Sequence, residues 1–109
     1  MEALKNITPP KRSGSTVSAE DIKKVVCEYY NLSLQQLTGS SRMGAITTPR
    51  FIAIYLCRSM LNMTFEDIGV EFNRDHSSII NACIKIEKLI NEDQSYKLVI
   101  NKLQQMLTK

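Results

Sequence analysis

The sequence predicts an all-α, compact domain of about five helices, and three observations carry that reading. Apolar residues recur at i, i+3, i+4 and i+7 from residue 18 onward, and strand-type alternation persists nowhere. Helix-capping residues (Ser18, Thr64 and Asp75) stand ahead of these stretches. The 109 residues are 43% hydrophobic, enough for one modest core. That core must be built mostly from Ile, Leu, Val and Met, because Trp is absent and aromatics amount to 6%.

Residues 1–16 read as a flexible tail, since Pro9, Pro10, Gly14 and the cations Lys5, Lys11 and Arg12 leave little to bury. Residues 17–109 read as the folded domain. Ser18 caps the first helix, and Glu20 and Asp21 suit the positive end of its dipole. Ile22, Val25, Val26, Tyr29 and Tyr30 form its buried stripe, and Asn31 ends it. Ser33 to Leu37 make one short helical turn, closed by Gly39. Residues 38–46 have loop composition. A second helix is expected from about Thr48, with Pro49 at its first position. Ile52, Ala53, Leu56, Cys57 and Met60 turn inward there, with Arg50 and Arg58 on other faces. Thr64, with Asp67 three residues on, opens a third helix that runs to about Phe72 and packs through Ile68, Gly69 and Phe72. Asn73 and Arg74 are the turn. Asp75 caps a long fourth helix with the stripe Ile79, Cys83, Ile86 and Ile90. A last helix covers about Tyr96 to Leu107 and uses Leu98, Val99, Leu103, Met106 and Leu107.

Several function classes are excluded at this level. No apolar run approaches the roughly 18 residues of a membrane span, and the N-terminus has no long apolar signal region, so a cytoplasmic location is expected. Cys27, Cys57 and Cys83 are odd in number, widely spaced and on apolar helical positions, which predicts three reduced core thiols. His76 is the single histidine, so no metal is expected. There is no glycine-rich phosphate loop and no G-x-S-x-G. Ser77 and Ser78 have His76 beside them in sequence, but a nucleophile–base pair also needs an orienting third group. The chain therefore reads as a non-enzyme without cofactor.

The net charge of +3 matters less than its distribution. Residues 38–60 carry Arg42, Arg50 and Arg58 and no acid, whereas 61–75 carry Glu66, Asp67, Glu71 and Asp75 against Arg74 alone. A basic connector beside an acidic helix can steer a polyanion to one face.

Residues 64–88 then read as one unit: a helix of about two turns, a tight turn, and a longer capped helix. This is the layout of a helix-turn-helix, whose second helix enters the major groove. The first turn of that helix offers His76, Ser77 and Ser78, and Asn81 and Lys85 continue the outward face. Hydroxyls and imidazole can meet base edges or phosphates. Asp75 either caps the helix or accepts from a cytosine amino group.

The run Thr48-Pro-Arg-Phe-Ile-Ala-Ile-Tyr-Leu56, then Phe65-Glu-Asp-Ile-Gly69, then Arg74-Asp-His-Ser-Ser-Ile-Ile-Asn-Ala-Cys83 with Lys85-Ile-Glu87, closely resembles the C-terminal DNA-binding domain of the bacterial replication initiator DnaA. Residues 21–31 are similar to that domain's first helix, so the resemblance covers about residues 17–107. It implies a Trp-repressor-like helix-turn-helix that binds double-stranded DNA at DnaA boxes in and around replication origins, as a monomer, with DnaA or other initiation proteins as further partners. Asp75, His76, Ser77 and Ser78 would contact bases and nearby phosphates, and Arg42 would enter the minor groove. Arg50, Arg58, Arg74, Asn81 and Lys85 would contact the DNA backbone.

Departures from the family pattern bear on affinity. Ser77 and Ser78 stand where the family has Thr, Asn81 where many members have His, and Phe51 where they have Gln. One glycine is missing before Arg74, which tightens the turn. The family's dense basic loop is reduced to Arg42, and each phosphate that goes unneutralised as a result takes close to 0.9 off the log–log salt slope. The family's AAA+ ATPase motifs are absent from these residues, which fits an excised domain or a free-standing relative acting as a regulator. A protein-interaction module with weak or lost DNA binding is the alternative. RNA binding is a weaker one, because no exposed aromatic platform is evident.

Overall fold

The structure, a computed structural model, describes residues 17–40 and 43–108. The expected tail and Arg42 lie outside the described residues. Six helices follow in order: α1 (Ala19–Tyr30), α2 (Leu34–Thr38), α3 (Gly44–Leu61), α4 (Phe65–Phe72), α5 (His76–Glu92) and α6 (Gln94–Leu107), with no strand among the described residues.

Local chemistry accounts for most of the helix boundaries. The Ser18 hydroxyl accepts from the Asp21 N–H, and the Asp21 carboxylate accepts from the Ser18 N–H. Ser33 and Gln36 repeat this reciprocal cap, which is why the expected single turn is a five-residue helix in its own right. Asn31, Asn62 and Asn73 end α1, α3 and α4 with φ of 59°, 55° and 57°. Asparagine adopts this left-handed conformation more readily than other residues with a side chain. Asp93 closes α5 and opens α6, its carboxylate accepting from the Ser95 N–H at 3.0 Å, so the last helix begins at Gln94 rather than Tyr96.

The start of α3 differs from expectation. The helix begins at Gly44, and Pro49 lies inside it rather than at its first position. The Met43 carbonyl accepts from both Ile46 and Thr47 N–H groups, at 2.9 and 2.8 Å, which nucleates the helix before the proline. Burial of Ile46 then holds this early turn against the core. Pro49 removes only the one N–H that would have bonded the Ala45 carbonyl.

Helix α3 is also the centre of the domain, packed against α1 on one side and α5 on the other. Ile52, Ala53, Ile54, Leu56 and Cys57 are all fully buried, so apolar residues surround the helix instead of forming one stripe. The core is completed by Ile22 and Val26 of α1, Leu37 of α2, Ile68 and Phe72 of α4, Ile79 and Ile86 of α5, and Leu103 of α6. Tyr29 and Leu98, expected inside, are exposed. Cys27 takes the inward position on α1, while the Tyr29 ring packs edge-on against Tyr30 at 5.0 Å. On α6, Ile100, Leu103 and Leu107 face inward in place of Leu98.

All three cysteines are free and buried, as the apolar spacing predicts. Burial pushes the Cys57 thiol up to about 12 and raises Cys27 and Cys83 as well, so each stays a neutral core group.

Candidate nucleic-acid interface

Helices α4 and α5 form the expected unit, joined by Asn73, Arg74 and Asp75. The turn is built by backbone contact. The Arg74 N–H donates to the Gly69 carbonyl at 2.8 Å, and the Asn73 N–H donates to Val70. This brings the Arg74 carbonyl so close to α4 that a Cβ at position 69 would stand 2.5 Å from it. Glycine at 69 is thus a steric requirement of the α4–α5 angle.

Asp75 then caps α5. Its Oδ1 accepts from the Ser78 N–H at 2.9 Å. The backbone bond from Ser78, joined by its hydroxyl, holds the Asp75 carboxyl below its ordinary value. A depressed folded pKa gives stability that is present above the unfolded value, near 3.9, and is lost as pH falls through the folded one. Acid titration is therefore expected to leave the cap intact at neutral pH and to release it only below about pH 4. Ser78 amide shifts and exchange rates report this step, and Asp75→Asn, which keeps a capping oxygen, should remove it.

His76, Ser77, Ser78, Asn81 and Lys85 are all exposed. Two clefts flank the start of α5. One, of about 380 Å³, lies between α3 and α5 and is lined by Thr47 and Phe51 on one wall and by Ser78, Asn81 and Lys85 on the other. The second, of about 600 Å³, runs along α4 past Glu66 and Val70 to His76. Thr47 and Phe51 face this side of α5; the sequence marked Phe51 only as a departure from the family's Gln and did not single out Thr47. Their i, i+4 spacing on α3 is the signal that would have found them.

The arginines divide differently from expectation. Arg50 is only 2% exposed. Its Nε donates to the Leu37 carbonyl at 2.6 Å and its Nη2 to the Gln36 carbonyl at 3.2 Å, so it clamps the C-terminal end of α2 to α3. Burial, and then the nearby Arg74 charge, push its pKa down. The expectation that Arg50 stands on a face apart from the core is corrected: its side chain is drawn in between α2 and α3 by the two carbonyls it serves. Arg74 converges on the same place, donating from Nη2 to the Gly39 carbonyl, while its buried Nε has no partner among the described residues. Arg58 is half-buried, donates to the Met63 carbonyl at 2.7 Å and lies 4.4 Å over the Phe65 ring, tying α3 to the start of α4. Glu71 is neutralised by Lys23 of α1 at 2.9 Å, which reduces the acidity of α4 on that side.

The first turn of α5 thus gathers Asp75, His76, Ser77 and Ser78 at one exposed end, with Asn81 and Lys85 following, whereas Arg50, Arg58 and Arg74 hold the surrounding backbone. No grouping of three metal-ligating side chains occurs among the described residues, and no described helix is long and apolar enough to cross a membrane.

Comparison with known proteins agrees with this arrangement. The family model described as the bacterial dnaA protein helix-turn-helix matches residues 19–86. The chain is 39% identical over 104 residues to the chromosomal replication initiator protein DnaA of Symbiobacterium thermophilum, covering 94% of this chain and 22% of that protein. It is 38% identical over 107 residues to DnaA of Geobacter metallireducens, covering 97% of this chain and 23% of that protein. The chain spans less than a quarter of the length of these relatives. A match of this extent, on the segment that holds the α4–turn–α5 unit, establishes that the chain belongs to the DnaA family and corresponds to its C-terminal helix-turn-helix domain.

Proposed function

We propose that this domain binds double-stranded DNA in a sequence-specific manner at DnaA-box-like origin sites, with no nucleotide hydrolysis assigned to these residues. The observation that carries the reading is the exposed turn His76-Ser77-Ser78 at the N-terminus of α5, held rigidly by the Asp75 cap and the Gly69–Arg74 contact. Rigid donors and acceptors on a helix N-terminus are what base-edge recognition needs. His76, Ser77 and Ser78 then address bases and adjacent phosphates. Asn81 and Lys85 address the backbone, and Arg42 addresses the minor groove. Arg74 and Arg50 act as positioning residues rather than as phosphate ligands.

Fluorescence anisotropy with a box duplex and a scrambled duplex at two salt concentrations tests this. His76→Ala or Ser77→Ala should weaken box binding by about 1–3 kcal/mol and scrambled binding much less. Lys85→Ala should weaken both alike and make the salt slope shallower by about 0.9. Equal affinity for the two duplexes at physiological salt would sink the specific reading.

The internal use of Arg50 and Arg58 leaves fewer cations for phosphate and favours the second reading, a protein-interaction module. Its mark is the absence of duplex retardation even at low salt, together with binding to an initiation protein.

A further inference from the structure

We propose that Ile84 reads a thymine 5-methyl group in the major groove and so selects sequence from the third turn of α5. The proposal rests on the duplex-binding reading above and adds a specificity determinant to it.

Scattered exposed apolar side chains are ordinary on a protein surface. Ile84 differs from Tyr29, Leu34, Met43, Val70 and Leu98 in its position. It is 57% exposed on the helix that bears His76 and Ser77. At 3.6 residues per turn, Ser77, Asn81, Ile84 and Lys88 fall within an arc of about 60°, so Ile84 lies on the outward line that Ser77 begins, about 10 Å further along. Lys88 lies on that line, Lys85 on one flank of Ile84 and the exposed Glu87 on the other, so the line itself carries no acid and its surroundings hold a small excess of positive charge. That excess suits a polyanion, and one apolar side chain is set into it.

The thymine methyl is the one apolar group that projects into the major groove; cytosine offers only a C5–H at that position, beside its amino donor, and the purines present acceptors and donors. Isoleucine pressed against a cytosine amino group or a guanine carbonyl strips water from a polar atom and returns no hydrogen bond. Against a thymine methyl, both surfaces gain by leaving water. Ile84 thus favours thymine over cytosine at one base pair. The contact also requires α5 to lie along the groove for three turns instead of entering it end-on.

The test uses the whole chain and the duplex it enriches from a randomised library. Each thymine of that duplex is replaced singly by deoxyuridine, which removes only the methyl, and Kd is measured by anisotropy. One replacement should raise the wild-type Kd roughly three- to five-fold, as expected for removal of one buried methyl. Ile84→Ala should raise Kd by a similar factor on the unmodified duplex and be indifferent to that same deoxyuridine. Its unfolding midpoint should match wild type, because the side chain is not in the core. An Ile84→Ala variant that keeps full affinity, or that remains as sensitive as wild type to every deoxyuridine, overturns the inference while leaving duplex binding standing. Failure to enrich any sequence overturns both.

Discussion

Gly69→Ala is expected to destabilise the domain by about 2–3 kcal/mol and to lower its unfolding midpoint by roughly 10–20 °C. Two effects oppose each other at this position. Alanine is the better helix former by about 1 kcal/mol, so an exposed Gly→Ala change in α4 would stabilise. Here the new methyl would stand 2.5 Å from the Arg74 carbonyl oxygen, and that neighbour is backbone with no rotamer to escape into. Relief requires the turn to open, which lengthens the Arg74 N–H to Gly69 hydrogen bond and shifts the Asp75 cap and the first turn of α5. The steric cost therefore outweighs the propensity gain. A second consequence follows at low temperature, where the variant is folded: discrimination between box and scrambled duplex should fall further than for Ser77→Ala, because all the reading side chains move together. Thermal unfolding by circular dichroism and anisotropy at low temperature check the two parts. A midpoint equal to wild type would show that the α4–α5 contact tolerates a methyl.

Arg50→Ala should cost about 3 kcal/mol, through the fold and not through phosphate contact. The guanidinium is almost wholly buried, and it satisfies carbonyls at the end of α2. A five-residue helix has too few internal bonds to persist without such anchorage. Removing the side chain leaves the buried Leu37 carbonyl and the part-buried Gln36 carbonyl without their donor and opens space beside Leu37. Arg50→Lys should recover only part of the stability, since an ammonium cannot reproduce the planar fork on two neighbouring carbonyls. Thermal unfolding of both variants measures this. The opposite result, a wild-type midpoint with equally weakened binding to box and scrambled duplexes, would return Arg50 to the role of a phosphate ligand.

These two residues mark the boundary between local and long-range information in the chain. The helix caps at Ser18, Thr64 and Asp75 were legible because a cap is an interaction across three residues. The candidate reading turn was legible for the same reason: Asp75 to Ser78 is local, and its polarity contrasts with the stripe of Ile79, Cys83 and Ile86. The fate of Arg50 was hidden because its partners lie 13 and 14 residues away on another helix. The early start of α3 was hidden as well. A proline signals a first helical position when only neighbours are considered, whereas burial of Ile46 against the core holds the preceding turn, from Gly44 onward, in the helix ahead of it.

The sequence by itself determined the all-helical class, the order of the main helices, the α4–turn–α5 unit and the chemistry at its exposed end, since each depends on residues within a few turns of one another. Only the tertiary structure decided that α3 is enclosed, that Arg50, Arg58 and Arg74 serve backbone carbonyls, and that Gly69 cannot carry a side chain. Those outcomes depend on which surfaces meet. A guanidinium is equally suited to a phosphate outside and a carbonyl inside, and packing alone selects between them.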